Sequence, residues 1–417
     1  MEHPTLGILV GGGPAPGING VIAAATIEAR NRGWKVLGFL DGLKWVSEGT
    51  LSRVVELGIR DVSRIHLTGG SILRTSRAGH MQDPEVLATV LGSFESLGID
   101  ALITIGGDGT AGAASTIYEA SSGDLSVVHV PKTIDNDIPL PGGFSTFGYQ
   151  TARHVGVEVV QSLMEDAKTT GRWFIVVTMG RQAGHLALGI GKAAGATLTL
   201  IPEEFPEVRI SLDDLLLPIE GSMIRRRAAG RDDGVVVLAE GIAEKLDPDE
   251  LARDEDIELD PHGKVHLSDL PLGRLLRNRL VRTFKERGIR MNIMHKVIGY
   301  ELRCAAPIPF DAEYTRDLGC GAMEAVFRGD RSGIVCRYQG KIRVHPFEEF
   351  KDPKTGRTRV RFVDTSSESY QVSARYQLRM RPTDLEDDEE AERLARCAGI
   401  SSDALRERFL VCMLHGR

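Results

Sequence analysis

Two carboxylates two residues apart, with a lysine close by, stand in Pro131-Lys132-Thr133-Ile134-Asp135-Asn136-Asp137. In an extended segment alternate residues share a side, so Asp135 and Asp137 are expected to face one space. There one can take a proton from a hydroxyl while the other helps organise metal or water. A third acid lies in Gly106-Gly107-Asp108-Gly109-Thr110. An acid set between glycines at the end of a strand can hold Mg²⁺ against a polyphosphate bound by the loop backbone. An isolated Asp-Gly more often satisfies its own turn, but the glycines on both sides favour the ligand reading. Gly11-Gly12-Gly13-Pro14-Ala15-Pro16-Gly17 is a further glycine-rich turn, whose N–H groups could approach phosphate oxygens. On its own that run is equally well explained by tight packing of a strand onto a helix. No G-x-x-x-x-G-K-[ST] is present, and Gly189-Ile190-Gly191 with Gly195 lacks dinucleotide spacing and reads as helix packing.

Groups of this kind need a rigid frame. Leu6–Val10, Val36–Leu40, Ala101–Ile105 and Leu125–Val130 are apolar runs, and Ile18–Arg32 between the first two has helical composition. Continuous apolar strands alternating with helices imply a parallel sheet covered on both faces, with ligands at the carboxyl ends of the strands. A second α/β series starts near Phe147, with strands at Phe174–Val177, Leu198–Ile201 and Val235–Leu238. Ser211 and Asp214 make a capping-box-like start for a helix running towards Arg227. The expected fold is therefore α/β, two doubly wound, Rossmann-like units facing across a cleft. The acidic stretch Asp384–Glu390 reads as a solvated face.

Composition narrows the partners. The 417 residues are 42% hydrophobic and 26% charged, with a formal net charge of −7, so no general positive field exists to hold nucleic acid or an anionic membrane. Five cysteines without a C-x-x-C pair fit neither a disulfide framework nor a common zinc site. The start Met1-Glu2-His3-Pro4 has no basic region of a signal peptide, and no apolar run is long enough to span a bilayer. A cytoplasmic setting is expected.

Taken in order, Gly12–Asn19, Gly106–Thr110, Pro131–Asp137, Met179-Gly180-Arg181 and Gly299-Tyr300-Glu301-Leu302-Arg303 resemble the signature segments of the phosphofructokinase family, over roughly residues 5–340. The resemblance implies transfer of a phosphoryl group to the 1-hydroxyl of fructose 6-phosphate, giving fructose 1,6-bisphosphate, a glycolytic reaction. It implies Asp135 as the base, with Lys132 and Thr133 beside it, and Arg77 as the cation bridging donor and transferred group. Gly12, Gly107, Asp108, Gly109 and Thr110 would meet the donor, and Asp108 would be the Mg²⁺-associated acid, assisted by Asp137. Thr133, Asp137, Met179, Gly180, Arg181, Glu203, Tyr300 and Arg303 would meet the sugar phosphate, Arg303 on its 6-phosphate side. Arg172 matches an arginine that bacterial members lend to a neighbouring subunit, so a homodimer or homotetramer with shared active sites is implied. Tyr300 stands where many ATP-using members have His, and Met294 where a second cross-subunit arginine is usual; His295 and Lys296 are the nearest substitutes.

The donor is divided. Gly109 leaves open the space that an Asp would close against the α-phosphate of ATP, whereas Lys132 replaces the Gly usual in ATP-only bacterial members and suits pyrophosphate. The balance of these residues favours ATP, with pyrophosphate as the alternative. Three other classes remain: an NAD or lipid kinase sharing Gly-Gly-Asp-Gly, a noncatalytic regulatory subunit, and an NAD-dependent oxidoreductase. The first is opposed by Asp135 with Arg181, Glu203 and Arg303, the second by the presence of both Asp108 and Asp135, the third by the missing G-x-G-x-x-G. The expected organisation is a donor-binding domain over 1–146 to which about 302–344 returns, a sugar-phosphate domain over 147–301, and an extension of unassigned role over 345–417.

Overall fold

The apolar runs that end in polar loops become strands whose central residues are buried. The computed structural model describes residues 3–77, 81–253, 257, 265–330, 332–356 and 358–414, and the chain divides into two units, Met1–Ala152 with Tyr300–Arg361 and Arg153–Gly299 with Phe362–Arg417. In chain order the strands are β1 (Thr5–Val10), β2 (Lys35–Phe39), β3 (Val54–Glu56), β4 (Ile99–Gly106), β5 (Ser126–Thr133), β6 (Phe147–Gly148), β7 (Trp173–Thr178), β8 (Leu198–Leu200), β9 (Gly234–Ala239), β10 (Ile293–Ile298), β11 (Ser332–Tyr338) and β12 (Lys341–His345).

The first unit has one sheet, ordered β12-β11-β5-β4-β1-β2-β3, with β6 attached to β5. From β11 to β2 the neighbours run parallel, and only the two edges, β12 and β3, are antiparallel. β1 is followed in the chain by β2 on one side and flanked by β4 on the other, so the chain direction across the sheet reverses between β1 and β4. That reversal is where open α/β sheets leave a crevice for ligands. The loops after β1, β4 and β5 emerge side by side there. Residues 147–148 belong to this sheet, where Phe147 pairs with Lys132, rather than opening the second unit as the sequence suggested. The helix that follows, Tyr149–Thr170, starts under the buried Asp311, which accepts from the N–H of Gly148 at 2.9 Å and of Thr151 at 2.8 Å.

His129 ties β5 to the end of β4. It is fully buried, with its ring nitrogens 2.8 Å from the Thr104 hydroxyl and 3.1 Å from the Gly106 carbonyl. Burial holds its pKa down at about 3, so the ring is neutral, donating to Gly106 and accepting from Thr104.

The second unit is a four-stranded, all-parallel sheet, β10-β7-β9-β8. β7 and β9 are buried at every residue, as central parallel strands require. The Ser211 cap holds as read: its hydroxyl accepts from the Asp214 N–H at 3.1 Å and opens the helix Leu212–Ala228. Gly191 also holds as packing, since a Cβ there would stand 2.0 Å from the Thr199 hydroxyl.

Residues 345–417, read as one extension, divide between the units at 361/362. In the second unit the helices Asp388–Ala398 and Ser402–Leu414 share the core of Leu212–Ala228 through Leu394, Leu405 and Phe409. The acidic stretch is not all solvated: Asp384 is buried, accepts from the Arg381 N–H at 2.7 Å and lies 3.3 Å from Arg225.

A buried ion triad pins this C-terminal layer. Glu220, 1% exposed, meets Arg287 at 2.8 Å and Arg408 at 2.7 Å. Removing one member of such a group leaves charge without compensation, at a cost of about 3–5 kcal/mol. Glu220→Gln is thus expected to lower the stability of the second unit by about 3 kcal/mol, read as a drop in denaturant midpoint; an unchanged midpoint would show that the triad holds nothing in place. Among the described residues no helix is long and apolar enough to cross a membrane, and the four described cysteines are free.

Candidate active site

In the first unit three loops converge on one cation. β4 ends at Gly106, and the helix Asp108–Ala120 begins two residues later, so Asp108 sits exposed in its first turn. The side chain of Thr110 fixes how closely the β1 and β4 loops approach. A Cβ on either Gly11 or Gly106 would stand 2.3 Å from its hydroxyl. Thr110, expected to meet the donor, is instead 3% exposed and spent on this packing. At Gly109, by contrast, a Cβ would meet nothing within 4 Å, so the opening inferred from its identity is there.

Lys132 comes up from β5 beneath the glycine turn. It is 4% exposed, and its ammonium donates to the Gly13 carbonyl. Burial pushes its pKa down to about 8, against the attraction of Asp135, Asp137 and Asp108, while Arg303 pushes it further down. Arg303 is beside the same turn: its guanidinium is 3.4 Å from where a Gly13 Cβ would stand and lies over the Tyr300 ring at 4.6 Å. The resemblance implies a place for Arg303 at the 6-phosphate of the sugar; in this chain its guanidinium lies beside the glycine turn. Tyr300 itself is 70% exposed.

The two acids after β5 are not arranged as the extended reading supposed. β5 stops at Thr133, and Asn136 adopts a left-handed conformation, φ 58°, so strand alternation does not align Asp135 with Asp137. The Thr133 hydroxyl does the work instead, accepting from the Asp135 N–H at 3.0 Å and donating to the Asp137 carboxylate. Burial raises the pKa of Asp137, Asp108 adds to the rise, and Thr133 and Arg361 oppose it. Its Oδ1 is buried and accepts no hydrogen bond among the described residues.

Arg77 is exposed at the end of a segment fastened to the same turn, where the Gly12 N–H donates to Ser76 O at 2.7 Å and the Thr75 hydroxyl to Gly12 O at 2.6 Å. Asn19, buried, anchors that segment further back, donating to the Thr68 hydroxyl and accepting from the Ile72 N–H, both at 2.9 Å.

In the second unit Met179, Gly180, Arg181 and Glu203 follow the carboxyl ends of strands, while Arg172 precedes the amino end of β7. After β7 come Met179, Gly180, whose φ of 134° only glycine adopts freely, and the exposed Arg181. Glu240, after β9, accepts from the Gly180 N–H at 3.3 Å and carries a pKa raised by burial, with Arg181 opposing. After β8, Glu203 accepts from the N–H groups of Gly184 and Val363, each at 2.9 Å, and burial raises its pKa too. Arg172 stands 3.8 Å from Asp166 of its own chain. Met294 is 41% exposed on the edge strand β10, followed by His295 and Lys296.

Two residues escaped the sequence reading. Glu240 was signalled by an acid directly after an apolar strand, as Asp108 and Glu203 are. Arg361 has no local signal at all.

Residues 5–326 match the family described as Phosphofructokinase. The chain belongs to that family. It is 53% identical, over 92% of its own length and 93% of the relative's, to the pyrophosphate–fructose 6-phosphate 1-phosphotransferase of Thermotoga maritima. With the protein of the same description from Naegleria fowleri it shares 48% identity over 97% of this chain and 95% of that one. Among solved structures, phosphofructokinase from Saccharomyces cerevisiae superposes with a TM-score of 0.68 at 21% identity, covering 98% of this chain; the chain spans half the length of that one. This last likeness speaks for the fold, which is the α/β architecture of phosphofructokinases.

Proposed function

We propose that this protein transfers a phosphoryl group from pyrophosphate to the 1-hydroxyl of fructose 6-phosphate. The observation that carries the donor is Lys132: a buried ammonium held under Gly12-Gly13, with Arg303 beside it. A donor without a nucleoside can be gripped only through its phosphates, and paired cations at a glycine turn supply that grip. Both relatives of about half identity bear the pyrophosphate name. The preference for ATP drawn from Gly109 gives way on these grounds: open space admits a nucleotide but does not hold one.

In this reading the first unit binds donor and the second binds sugar phosphate. Asp135 takes the proton of the 1-hydroxyl as its oxygen attacks phosphorus, the bridging P–O bond of pyrophosphate breaks, and phosphate leaves. Lys132 and Arg77 offset the charge that builds on the phosphoryl oxygens. Arg181 and Glu203 hold the sugar phosphate, Glu203 by accepting from a sugar hydroxyl. Mg²⁺ suits the acids present: no cluster of three or more ligating side chains occurs among the described residues, and Mg²⁺ commonly takes one or two carboxylates with substrate phosphates completing its shell. Asp108 and Asp137, with its orphaned Oδ1, would hold the ion, which supplies neutralisation of diphosphate charge.

The test is a coupled assay for fructose 1,6-bisphosphate with Mg²⁺ and either donor. Turnover with pyrophosphate, at a kcat/KM on the order of 100-fold or more above that with ATP, is the expected result. Turnover with ATP alone would reverse the donor, and turnover with neither would remove the phosphotransferase reading.

A further inference from the structure

We infer that Arg361, beyond the end of the family match at residue 326, is a positioning residue that sets the Asp135–Asp137 turn; the inference rests on the catalytic roles proposed above. The turn has an uncommon backbone. Asn136 is held at φ 58°, a left-handed conformation that Asn takes more readily than other non-glycine residues but does not adopt by default. Residues 137–144 then loop away and return.

Arg361 closes both ends of that loop at once. Its Nε and Nη2 donate to the Asn136 carbonyl at 3.0 and 2.7 Å, and its Nη1 donates to the Phe144 carbonyl at 3.1 Å. Its own backbone N–H donates to the Asp137 carbonyl at 2.6 Å. Four hydrogen bonds from one residue thus fall on the peptide carbonyls of Asn136, Asp137 and Phe144, and the guanidinium is half-buried. A planar fork serves two carbonyls in one fixed geometry, which a rotatable ammonium on a flexible stem does not impose. The loop's internal bonds follow the same clamp: the Asn136 side chain accepts from the Thr146 N–H at 3.1 Å, and the Thr146 hydroxyl donates to Thr133 O at 2.8 Å. Thr133 is the residue whose hydroxyl joins Asp135 to Asp137. Arg361 therefore sets the turn that carries both carboxylates through its bonds to backbone. Its charge also opposes the rise that burial gives the pKa of Asp137.

Such a role separates from general stability by what it changes. In Arg361→Ala, kcat should fall by about 30-fold or more while KM for fructose 6-phosphate stays within about threefold, because a displaced turn loses alignment in the transition state rather than sugar binding. Arg361→Lys keeps the charge and the backbone N–H but not the fork, so it should remain at least about tenfold down. Added guanidinium ion should restore part of the activity of Arg361→Ala and none of that of Arg361→Lys. Arg359→Ala, two residues away, is the control and should match the parent. Amide hydrogen exchange over residues 134–146, measured without substrate, should quicken in Arg361→Ala while the strands keep their protection. That readout does not depend on turnover. A parent inactive with either donor would sink the proposed function and leave the exchange result to judge the clamp. Unchanged exchange, or a folded Arg361→Ala within threefold of parental kcat, would overturn the inference, as would equal rescue of the Ala and Lys variants.

Discussion

Asp135→Asn should reduce the turnover number by about 10²–10⁴-fold with little change in KM for fructose 6-phosphate. The amide keeps the size of the side chain, and the Asp135 backbone N–H still reaches the Thr133 hydroxyl at 3.0 Å, so the turn is retained. What disappears is the acceptor for the hydroxyl proton. An alcohol attacking phosphorus must shed that proton as the new bond forms, and without a positioned base it must do so to water. The loss therefore falls on the chemical step. Steady-state kinetics decides the matter: near-parental kcat in Asp135→Asn would take Asp135 out of the role of base.

Lys132→Met is the second large effect. Replacing a buried ammonium by an apolar chain of similar length removes charge from the turn without opening a hole, and kcat/KM for pyrophosphate should fall by about 10²-fold or more. The parent should also lose kcat/KM for pyrophosphate above about pH 8, where Lys132 gives up its proton, since this parameter reports the free enzyme. Arg never deprotonates in this range, so Lys132→Arg should carry that alkaline limb upwards. Stability moves the opposite way. The folded pKa lies below the unfolded value of 10.5, so the unfolded chain binds more protons between about pH 8 and 10.5, and stability rises across that window. Lys132→Met abolishes that rise. A variant whose pyrophosphate kinetics and alkaline limb both match the parent would show that Lys132 does not hold the donor.

The strands that carry the site were legible because each is a continuous apolar run bounded by glycine or a polar loop, as in Leu6–Val10 and Val235–Leu238. Edge strands were not: β3 is three residues long and partly exposed, β12 alternates polar and apolar residues over only five positions, and β6, at two residues, is defined only by its partner Lys132-Thr133. Among the proposed site residues, order along the chain pointed to Asp108, Lys132, Asp135 and Glu203. Their geometry was less accessible. The left-handed Asn136 defeated the alternation argument: Asn takes that conformation more readily than most residues, and the carbonyl it presents is bonded by Arg361, 225 residues further on. The burial of the Thr110 side chain was hidden for a related reason, since it depends on β1 and β4 lying together. Asp384 looked solvated because the sequence does not show Arg225 beside it.

The distance along the chain from Asn136 to Arg361 has a consequence for how the protein is made. A ribosome adds roughly 5–20 residues per second, and domains tend to fold as their sequence emerges. The chain from Asn136 to Arg361, 225 positions on, therefore takes about 10–45 seconds to appear, during which β1, β4 and β5 can already be paired. The nascent polypeptide in that interval has the glycine turns and acids up to Asp137 and an Asn136 turn that lacks its Arg361 bonds. Glu203 waits in the same way for Val363, 160 residues later. Residues 361–363 thus add bonds to both Asn136 and Glu203 after the recognisable motifs have been made, so a message truncated after codon 345 would encode every one of those motifs and yield a protein without the Arg361 bonds to Asn136 or the Val363 bond to Glu203.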